Sequence, residues 1–143
     1  ILFNHKSPLR SKEFVTKKIV DTALKIKRKK GSKLELGNVD IFRDWGWAPD
    51  YVRAIWLMLQ RNKPRDFLIG SGKTHSLKDF VNEVFKYLNI SKKNLKTNVS
   101  KYKRKIDLRG YKANIVDTQK KLKWKPRLKF KAIIHKMIKN ELF

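Results

Sequence analysis

One stretch of the sequence decides the fold class: residues 66–88, DFLIGSGKTHSLKDFVNEVFKYL. Residues 66–69 predict a short strand, and the glycines after it predict a tight loop. Ser76 and Asp79 have the spacing of a capping box, in which each side chain accepts a hydrogen bond from the other residue's backbone amide. The apolar residues that follow recur at helical spacing: Leu77, Phe80, Val81, Val84, Phe85 and Leu88. A strand, a loop and a helix in direct succession are typical of an α/β fold.

The rest of the chain repeats this alternation of short strands and helices. Residues 1–3 predict the end of a buried strand that leads into a loop over residues 5–11, and residues 33–37 predict another short strand. Pro49 is placed to begin a helix, and the apolar face of that helix would comprise Val52, Ile55, Trp56 and Leu59. Further helices are predicted over residues 13–28, over residues 118–122 and near the C-terminus, where the apolar positions are Phe130, Ile134, Met137 and Ile138. No internal repeat is present.

Length and composition allow a packed core and exclude several kinds of site. The chain has 143 residues, 41% of them hydrophobic, and a chain of this size can bury roughly two-thirds of its unfolded surface. It contains no cysteine, which excludes disulfides, thiolate zinc sites and cysteine nucleophiles. His5, His75 and His135 lie too far apart in sequence for metal-ligand spacing, so no metal site is predicted.

Apolar runs and the start of the sequence bear on location. No run approaches the roughly 18 apolar residues that a membrane span requires, and no secretory signal pattern is present. We therefore expect a cytoplasmic protein without a membrane partner. The first residue is Ile1 rather than methionine, which favours a piece of a longer protein.

Charge is the most unusual feature of the composition. Lysine and arginine number 37 against 12 acidic residues, which gives a net charge of +25. Such a charge is compatible with a nucleic-acid-binding module, because cations release counterions from phosphate backbones. The lysines, however, outnumber the arginines by 28 to 9 and are spread along the whole chain, whereas specific recognition of phosphates and bases favours arginine. We interpret the charge as a lysine-rich surface and keep nucleic-acid binding as the alternative.

Residues 70–74, GSGKT, are similar to a phosphate-binding loop but do not complete the motif. The motif requires a glycine at the position that Phe67 occupies. A glycine fingerprint for binding a dinucleotide is also absent from the sequence. Residues 70–72 are therefore interpreted as a loop between a strand and a helix.

Two short motifs have side chains suited to an anion. Arg43 stands beside aromatic residues in the segment RDWGW, and its guanidinium suits a diphosphate. A pairing of Arg43 with Asp44 that holds a turn fits the same pattern equally well. Arg104 and Asp107 place a cation and a carboxylate three residues apart, which suits a phosphate and a ribose hydroxyl, or a surface ion pair.

Taken together, these segments resemble the GDP-mannose 4,6-dehydratases, a family of extended short-chain dehydrogenases/reductases. The resemblance begins with ILFNHKSPLRS (residues 1–11), close to the family's ILFNHESPxRG, and ends with LKWKP (residues 122–126) against the family's LGWKP. The segments between them keep the family's order and spacing: FVTKKI, LGNVD, RDWG, DYVRA, WLMLQ and THS. The resemblance thus covers the whole chain.

This resemblance implies a particular part of a larger fold. Residues 1–143 would form the C-terminal, substrate-binding portion: the last region of the Rossmann sheet and a small α/β lobe. The NADP-binding Rossmann portion of the family, with its catalytic Thr or Ser, Glu and Tyr-x-x-x-Lys pair, would lie before Ile1. None of the four tyrosines of this chain has a lysine four residues after it. We therefore expect the chain alone to be inactive.

The implied activity is that of an NADP-dependent lyase. The intact enzyme would convert GDP-mannose to GDP-4-dehydro-6-deoxymannose and water: carbon 4 is oxidised, water is lost across carbons 5 and 6, and the hydride returns to carbon 6. Its partners would be GDP-mannose, the N-terminal Rossmann portion and further copies in a homo-oligomer. A related GDP-sugar reductase or epimerase is the alternative within the same superfamily, because only the N-terminal residues separate these activities.

Several positions match functional residues of the family. His5 and Arg10 match residues that contact NADP, and Asn4 matches a residue that reaches the diphosphate of the sugar nucleotide. Lys18 and Arg43 match cationic contacts to the GDP moiety. No catalytic residue is implied within this chain.

Arg104 and Asp107 match the family's RPxE pattern, in which the arginine holds a phosphate and the acid holds a nucleoside hydroxyl or base edge. The chain departs from the family at Asp107 itself, where the family has Glu, and at Lys105, where it has Pro. Lys6 replaces the family's Glu, and Ser11 replaces its Gly.

If this portion normally packs against a Rossmann sheet, its free strand edge and apolar helix faces are exposed when it stands alone, so we expect poor solubility.

Overall fold

A computed structural model of the chain describes residues 1–28, 32–102 and 108–140. These residues form alternating strands and helices, which confirms the prediction of an α/β fold. The elements in chain order are β1 (Asn4–Lys6), α1 (Val15–Lys27), β2 (Leu34–Glu35), β3 (Phe42–Trp47), α2 (Ala48–Leu59), β4 (Thr74–Ser76), α3 (Leu77–Leu88), β5 (Leu95–Lys96), α4 (Val116–Leu122) and α5 (Phe130–Lys139).

The strands form two small sheets. In the larger sheet β3 is the central strand. Its residues 45–47 pair in parallel with β1, and its first half pairs antiparallel with β4. The smaller sheet contains β2 and β5, which run parallel. Helices connect the strands of both sheets, as the alternating sequence pattern predicts.

Two strand predictions need correction. The sequence predicts a buried strand at residues 1–3 and a second one at residues 66–69, but only a single bridge, between Leu2 and Ile69, joins these segments. The regular strand begins at Asn4 instead, and Ile1 is 77% exposed. The physical reason lies in the hydrogen bonds: the Phe3 amide donates to Ile69 and the Ile69 amide to Ile1, so one edge of residues 1–3 is paired. The backbone groups of Leu2 face the other edge and have no hydrogen-bond partner among the described residues.

Helix α3 agrees with its sequence pattern. The Ser76 hydroxyl accepts a hydrogen bond from the Asp79 amide at 3.0 Å, and the Asp79 carboxylate accepts one from the Ser76 amide at 2.9 Å. The capping box is thus complete, and all six predicted apolar residues of α3 are buried. α3 packs against α1 and α5, and their apolar side chains form the larger core together with Trp45 of β3.

A second, smaller core lies beside α2. It is formed by Tyr51 and Ala54 of that helix, by Leu122 at the end of α4, and by side chains from the segments before and after α4: Phe67, Ile69, Ala113, Ile115 and Trp124. The buried Asp50 carboxylate accepts hydrogen bonds from the amides of Arg127 and Leu128, which ties the start of α2 to the segment before α5.

The apolar face of α2 that the sequence predicts does not belong to the core of this chain. The apolar residues of that face are exposed, with Trp56 at 58% and Leu59 at 76% of their full accessibility. The helix turns its other face inward, because Tyr51 and Ala54 pack on β1, β3 and α4. Periodicity shows which residues share a helix face, but not which face meets the core of this chain.

Within residues 1–28, 32–102 and 108–140, none of the helices has both the length and the apolar character that crossing a membrane requires.

Candidate functional site

A cavity of about 370 Å³ opens beside the end of β1. We call it the β1 cavity. Its polar walls come from four parts of the chain: β1, the loop before α1, β3 and the segment that follows residue 107. The side chains that define it are Asn4, Lys6, Arg10, Arg43 and Tyr111. Three of these five are cations, so the cavity is suited to an anion.

Strand alternation selects the side chains of β1 that face the cavity. Asn4 and Lys6 line it, whereas His5 lies on the opposite face of the strand, with its ring centre 5.2 Å from that of Tyr51. Gly46, which pairs with His5 in the sheet, touches the Tyr51 ring so closely that a Cβ atom would clash with it. The glycine of the RDWGW segment is therefore required for the approach of α2 to the sheet.

Arg10 reaches the β1 cavity from the loop between β1 and α1. Its guanidinium carbon lies 3.5 Å from the centre of the Phe14 ring, a cation–π contact that fixes the side chain. The Nε atom of Arg10 is buried and has no hydrogen-bond partner among the residues that the structure describes. A buried donor without a partner is costly, and an anion in the cavity would satisfy it.

Arg43 lies on β3 and is held by backbone carbonyls. Its guanidinium donates to the carbonyls of Phe42 at 2.7 Å and Leu108 at 2.8 Å, and it lies 5.2 Å from the centre of the Tyr111 ring. The Tyr111 hydroxyl in turn accepts a hydrogen bond from Asn4 Nδ2 at 2.8 Å. Arg43 and Asn4, two of the residues predicted for the sugar-nucleotide site, are thus brought together through Tyr111.

Lys18 lies away from the β1 cavity, and two further predicted residues fall outside the described part of the chain. Lys18 donates to the carbonyl of Glu35 at 2.9 Å, and its ammonium group lies 3.6 Å from the centre of the Tyr102 ring, so it is not part of the β1 cavity wall. Arg104 and Asp107 lie outside the described residues. The structure therefore brings together Asn4, Arg10 and Arg43, but places His5 and Lys18 apart from them.

Asp44 explains why residues 70–72 are not a phosphate loop. Its carboxylate is fully buried and accepts hydrogen bonds from the amides of Ser71 at 2.7 Å, Gly72 at 2.9 Å and Ala113 at 3.2 Å. The chain's own carboxylate thus occupies the amides that would otherwise bind an anion. Residues 70–72 do form a loop, but it leads into β4 rather than directly into a helix as predicted, and Asp44 holds its turn through backbone amides.

Lys6 is the most unusual side chain of the β1 cavity. It is only 4% exposed, and burial, with the nearby positive charge of Arg10, lowers the pKa of its ammonium group to about 8. Of the five side chains that define the cavity, Lys6 and Tyr111 are the two that the sequence did not assign. In the sequence Lys6 is noticeable only as a departure from the family pattern. Its burial follows from the alternation of side chains between the two faces of β1, which the composition does not predict.

A larger cavity of about 950 Å³ lies between α3 and α5. One wall contains the parallel rings of His75 and Phe130, whose centres are 3.8 Å apart, and burial lowers the pKa of His75. On another wall His135 Nε2 lies 2.8 Å from a carboxylate oxygen of Glu83. None of the sequence-assigned residues within the described ranges lines this cavity. In the described part of the chain, no three histidine, aspartate or glutamate side chains are grouped to hold a metal ion.

Comparison with known proteins gives a consistent result. A family model described as GDP-mannose 4,6 dehydratase matches residues 1–137. Over 142 residues the chain is 37% identical to GDP-mannose 4,6 dehydratase 1 of Arabidopsis thaliana, a match that covers 99% of this chain and 39% of that protein. The chain spans about two-fifths of the length of the curated relatives it matches.

Solved structures share the fold. The dTDP-glucose 4,6-dehydratase of Bacillus anthracis, determined in complex with NAD, superposes with a TM-score of 0.84 at 21% identity over 96% of this chain and 42% of that one. The protein RMD of Pseudomonas aeruginosa, complexed with NADPH, gives 0.83 at 18% identity over 97% of this chain and 47% of that one. The predicted fold class, part of an extended short-chain dehydrogenase/reductase, is thereby confirmed.

Proposed function

The chain belongs to the GDP-mannose 4,6-dehydratase family, and from that premise we propose that it is the substrate-binding portion of an NADP-dependent dehydratase of GDP-mannose. The intact enzyme would release water and GDP-4-dehydro-6-deoxymannose. The observation that carries this proposal is the β1 cavity, in which Asn4, Arg10 and Arg43 meet although they come from three separate parts of the chain.

The role proposed for the β1 cavity is to bind and orient the diphosphate of the nucleotide sugar. Charge-assisted hydrogen bonds from arginine to a phosphate are roughly twice as strong as neutral ones. Two carbonyls hold the Arg43 guanidinium, and Phe14 holds that of Arg10, so both cations have defined positions before a ligand arrives. Binding of the diphosphate also fixes the position of the attached hexose. This positioning lowers the barrier to a reaction at the sugar.

The β1 cavity also offers a contact to a nicotinamide cofactor through Arg10, whereas His5, the other residue predicted to contact NADP, lies on the opposite face of β1. The buried Nε of Arg10 has no partner among the described residues, which suits a phosphate oxygen. Both solved structures described above contain a nicotinamide dinucleotide, and we propose NADP for this family member. A bound nicotinamide cofactor would supply hydride transfer from the sugar and back to it. The contribution of this chain is to hold phosphate groups and to exclude water from the cavity wall.

The exposed face of α2 supports a second part of the proposal, the partner. Trp56, Leu59, Val52 and Ile55 form an apolar face, and the free edge of residues 1–3 leaves the backbone of Leu2 unpaired among the described residues. Both features suit a neighbouring sheet with apolar side chains. We propose that the Rossmann portion of the longer relatives covers this surface and supplies the Thr, Glu and Tyr-x-x-x-Lys residues, in a homo-oligomeric cytoplasmic enzyme.

The test is equilibrium binding of GDP-mannose and GDP to the chain and to Arg43→Ala. We expect the variant to lose at least tenfold in affinity, because one charge-assisted contact to a phosphate contributes about 1.5–3 kcal/mol. Arg65→Ala is the matched control, since Arg65 pairs with Asp117 at the surface, away from the cavity. A thermal melt of each variant separates lost binding from lost folding.

The alternatives give different results in the same experiment. A nucleic-acid-binding module would bind random duplex DNA in a salt-dependent way and would not respond to GDP. Equal affinity of Arg43→Ala and the unaltered chain for GDP-mannose would refute the proposed site. A related reductase or epimerase would bind the same nucleotide, so only product analysis of the intact enzyme separates it from a dehydratase.

A further inference from the structure

Lys6 occupies a position in which a lysine is costly. It lies at the end of β1, opposite Trp47 in the sheet, and it is almost fully buried while still lining the β1 cavity. Removing an ammonium group from water costs several kcal/mol unless an opposite charge or hydrogen bonds replace the lost water. Among residues 1–28, 32–102 and 108–140, the ammonium group of Lys6 has no hydrogen-bond or ion-pair partner, and its nitrogen is not among the fully buried polar atoms, so it faces the cavity rather than the protein interior.

The side chains around Lys6 increase this cost. The charged and titratable groups that share the cavity wall are Arg10, Glu13, Arg43 and Tyr111. Arg10 acts on Lys6 by direct repulsion and has an unpartnered buried Nε of its own. Glu13 is the single carboxylate among the described residues of this wall and forms no ion pair with Lys6. Lys6 and Arg10 therefore line one cavity, and among the described residues neither forms an ion pair with its carboxylate.

We propose that Lys6 binds a phosphoryl group of the nucleotide ligand, which it shares with Arg10 at the floor of the β1 cavity. This inference rests on the proposed function, and it adds a cation that the family resemblance does not assign. A phosphoryl group placed between the two side chains supplies acceptors to both and replaces their repulsion with attraction. The phosphoryl group can come from the diphosphate of a sugar nucleotide or from a nicotinamide dinucleotide.

Binding through Lys6 has a measurable consequence in protons. An anion beside the ammonium group favours its charged form, so the pKa of Lys6 rises from about 8 when the ligand binds. At pH 8.5 about three-quarters of the free lysine is neutral, so we expect uptake of up to about three-quarters of a proton per ligand. At pH 6.5 the lysine is already charged, and the uptake through it vanishes.

The experiment is titration calorimetry of the chain at pH 6.5 and 8.5, in two buffers of different ionisation enthalpy, so that the number of protons is measured directly. The ligands are inorganic pyrophosphate, GDP-mannose and NADPH. The variant is Lys6→Met, which keeps the length and apolar character of the stem, and the matched control is Lys93→Met, because Lys93 is exposed and away from the cavity. We expect Lys6→Met to lose at least tenfold in affinity for one of the two nucleotides and to lose the proton uptake, and the nucleotide affected identifies the source of the phosphoryl group.

The outcomes separate this inference from the proposed function. Pyrophosphate binding that depends on Lys6, without binding of GDP-mannose or NADPH, supports the phosphoryl site and overturns the proposed nucleotide. Nucleotide binding with equal affinity in Lys6→Met, and no proton uptake by the unaltered chain at pH 8.5, overturns the role of Lys6 and leaves the function standing. Absence of all binding overturns both. The proton count is measured on the unaltered chain, so it holds even if Lys6→Met fails to fold.

Discussion

Asp44 shows how much one carboxylate contributes to the shape of the site. It accepts hydrogen bonds from three backbone amides in two segments that lie far apart in sequence, at Ser71, Gly72 and Ala113. The amides of Ser71 and Gly72 belong to the loop that leads towards β4, and Ala113 follows Tyr111 of the β1 cavity. The position of that cavity wall therefore depends on a residue that does not line it.

Replacing Asp44 by asparagine is expected to lower the free energy of unfolding by roughly 2–3 kcal/mol, because an amide NH₂ group would face backbone donors in a buried site. Urea denaturation measures this loss. Asp40→Asn is the control, since Asp40 is exposed, and we expect its effect to stay within about 0.5 kcal/mol. Equal stability of the two variants would contradict the role given to Asp44.

Lys6 makes the stability of the chain depend on pH in a defined direction. Its pKa in the folded chain, about 8, is below the ordinary value of 10.5, so between these pH values the unfolded chain binds more protons. The free energy of unfolding should therefore rise from about pH 8 to about pH 10.5, by at most roughly 3 kcal/mol from this residue. Denaturation at pH 7, 8.5 and 10 should show a smaller rise in Lys6→Met, and parallel curves for the two proteins would exclude the effect.

At the scale of residues, sequence reasoning found part of the site. Asn4, Arg10 and Arg43 were assigned from short segments, and the structure brings them together because two of them lie on the adjacent strands β1 and β3. Tyr111 was not assigned, because its contact with Asn4 spans 107 residues and has no local signal. His5 lies on the face of β1 away from the cavity, because side chains alternate between the two faces of a strand. The sequence pattern did not predict this, because the strand that it predicts ends before His5.

At the scale of elements, α2 gives a further test. We expect Trp56→Lys and Leu59→Lys to reduce self-association of the isolated chain, because both residues belong to an exposed apolar face. Sedimentation velocity measures the change, and the thermal midpoint should stay close to that of the unaltered chain. Leu9→Lys is the control for added charge, since Leu9 is exposed outside this face. If Leu9→Lys reduces association as much as the other two variants, the α2 face is not the cause.

The elements differ in how far the sequence determines them. The capping box and apolar spacing of α3 are local signals, and both were predicted residue by residue. The apolar face of α2 is equally regular, yet it is exposed, because Asp50, Tyr51 and Ala54 attach the other face to the chain. The strand predicted over residues 66–69 is reduced to a bridge, because a strand requires a partner and only residues 1–3 are available to it among the described residues.

For the whole molecule, the prediction concerns turnover. The chain should bind nucleotide without converting it, because no tyrosine has a lysine four residues later and the family's catalytic residues are not matched within it. A sensitive assay for the 4-dehydro-6-deoxy product, made on the purified chain with GDP-mannose and NADP, should give only the background. Sustained turnover by this chain would show that its own side chains perform the chemistry.

The division into two cores has a consequence for how the molecule opens. The larger core joins α1, α3 and α5, whereas the core beside α2 is smaller and is bordered on its outer side by exposed apolar residues. Backbone amides of α2 and α4 should therefore exchange with deuterium sooner than those of α3. A partner that covers α2 should slow exchange there first, so the pattern of protected amides would identify the covered surface whatever the partner is.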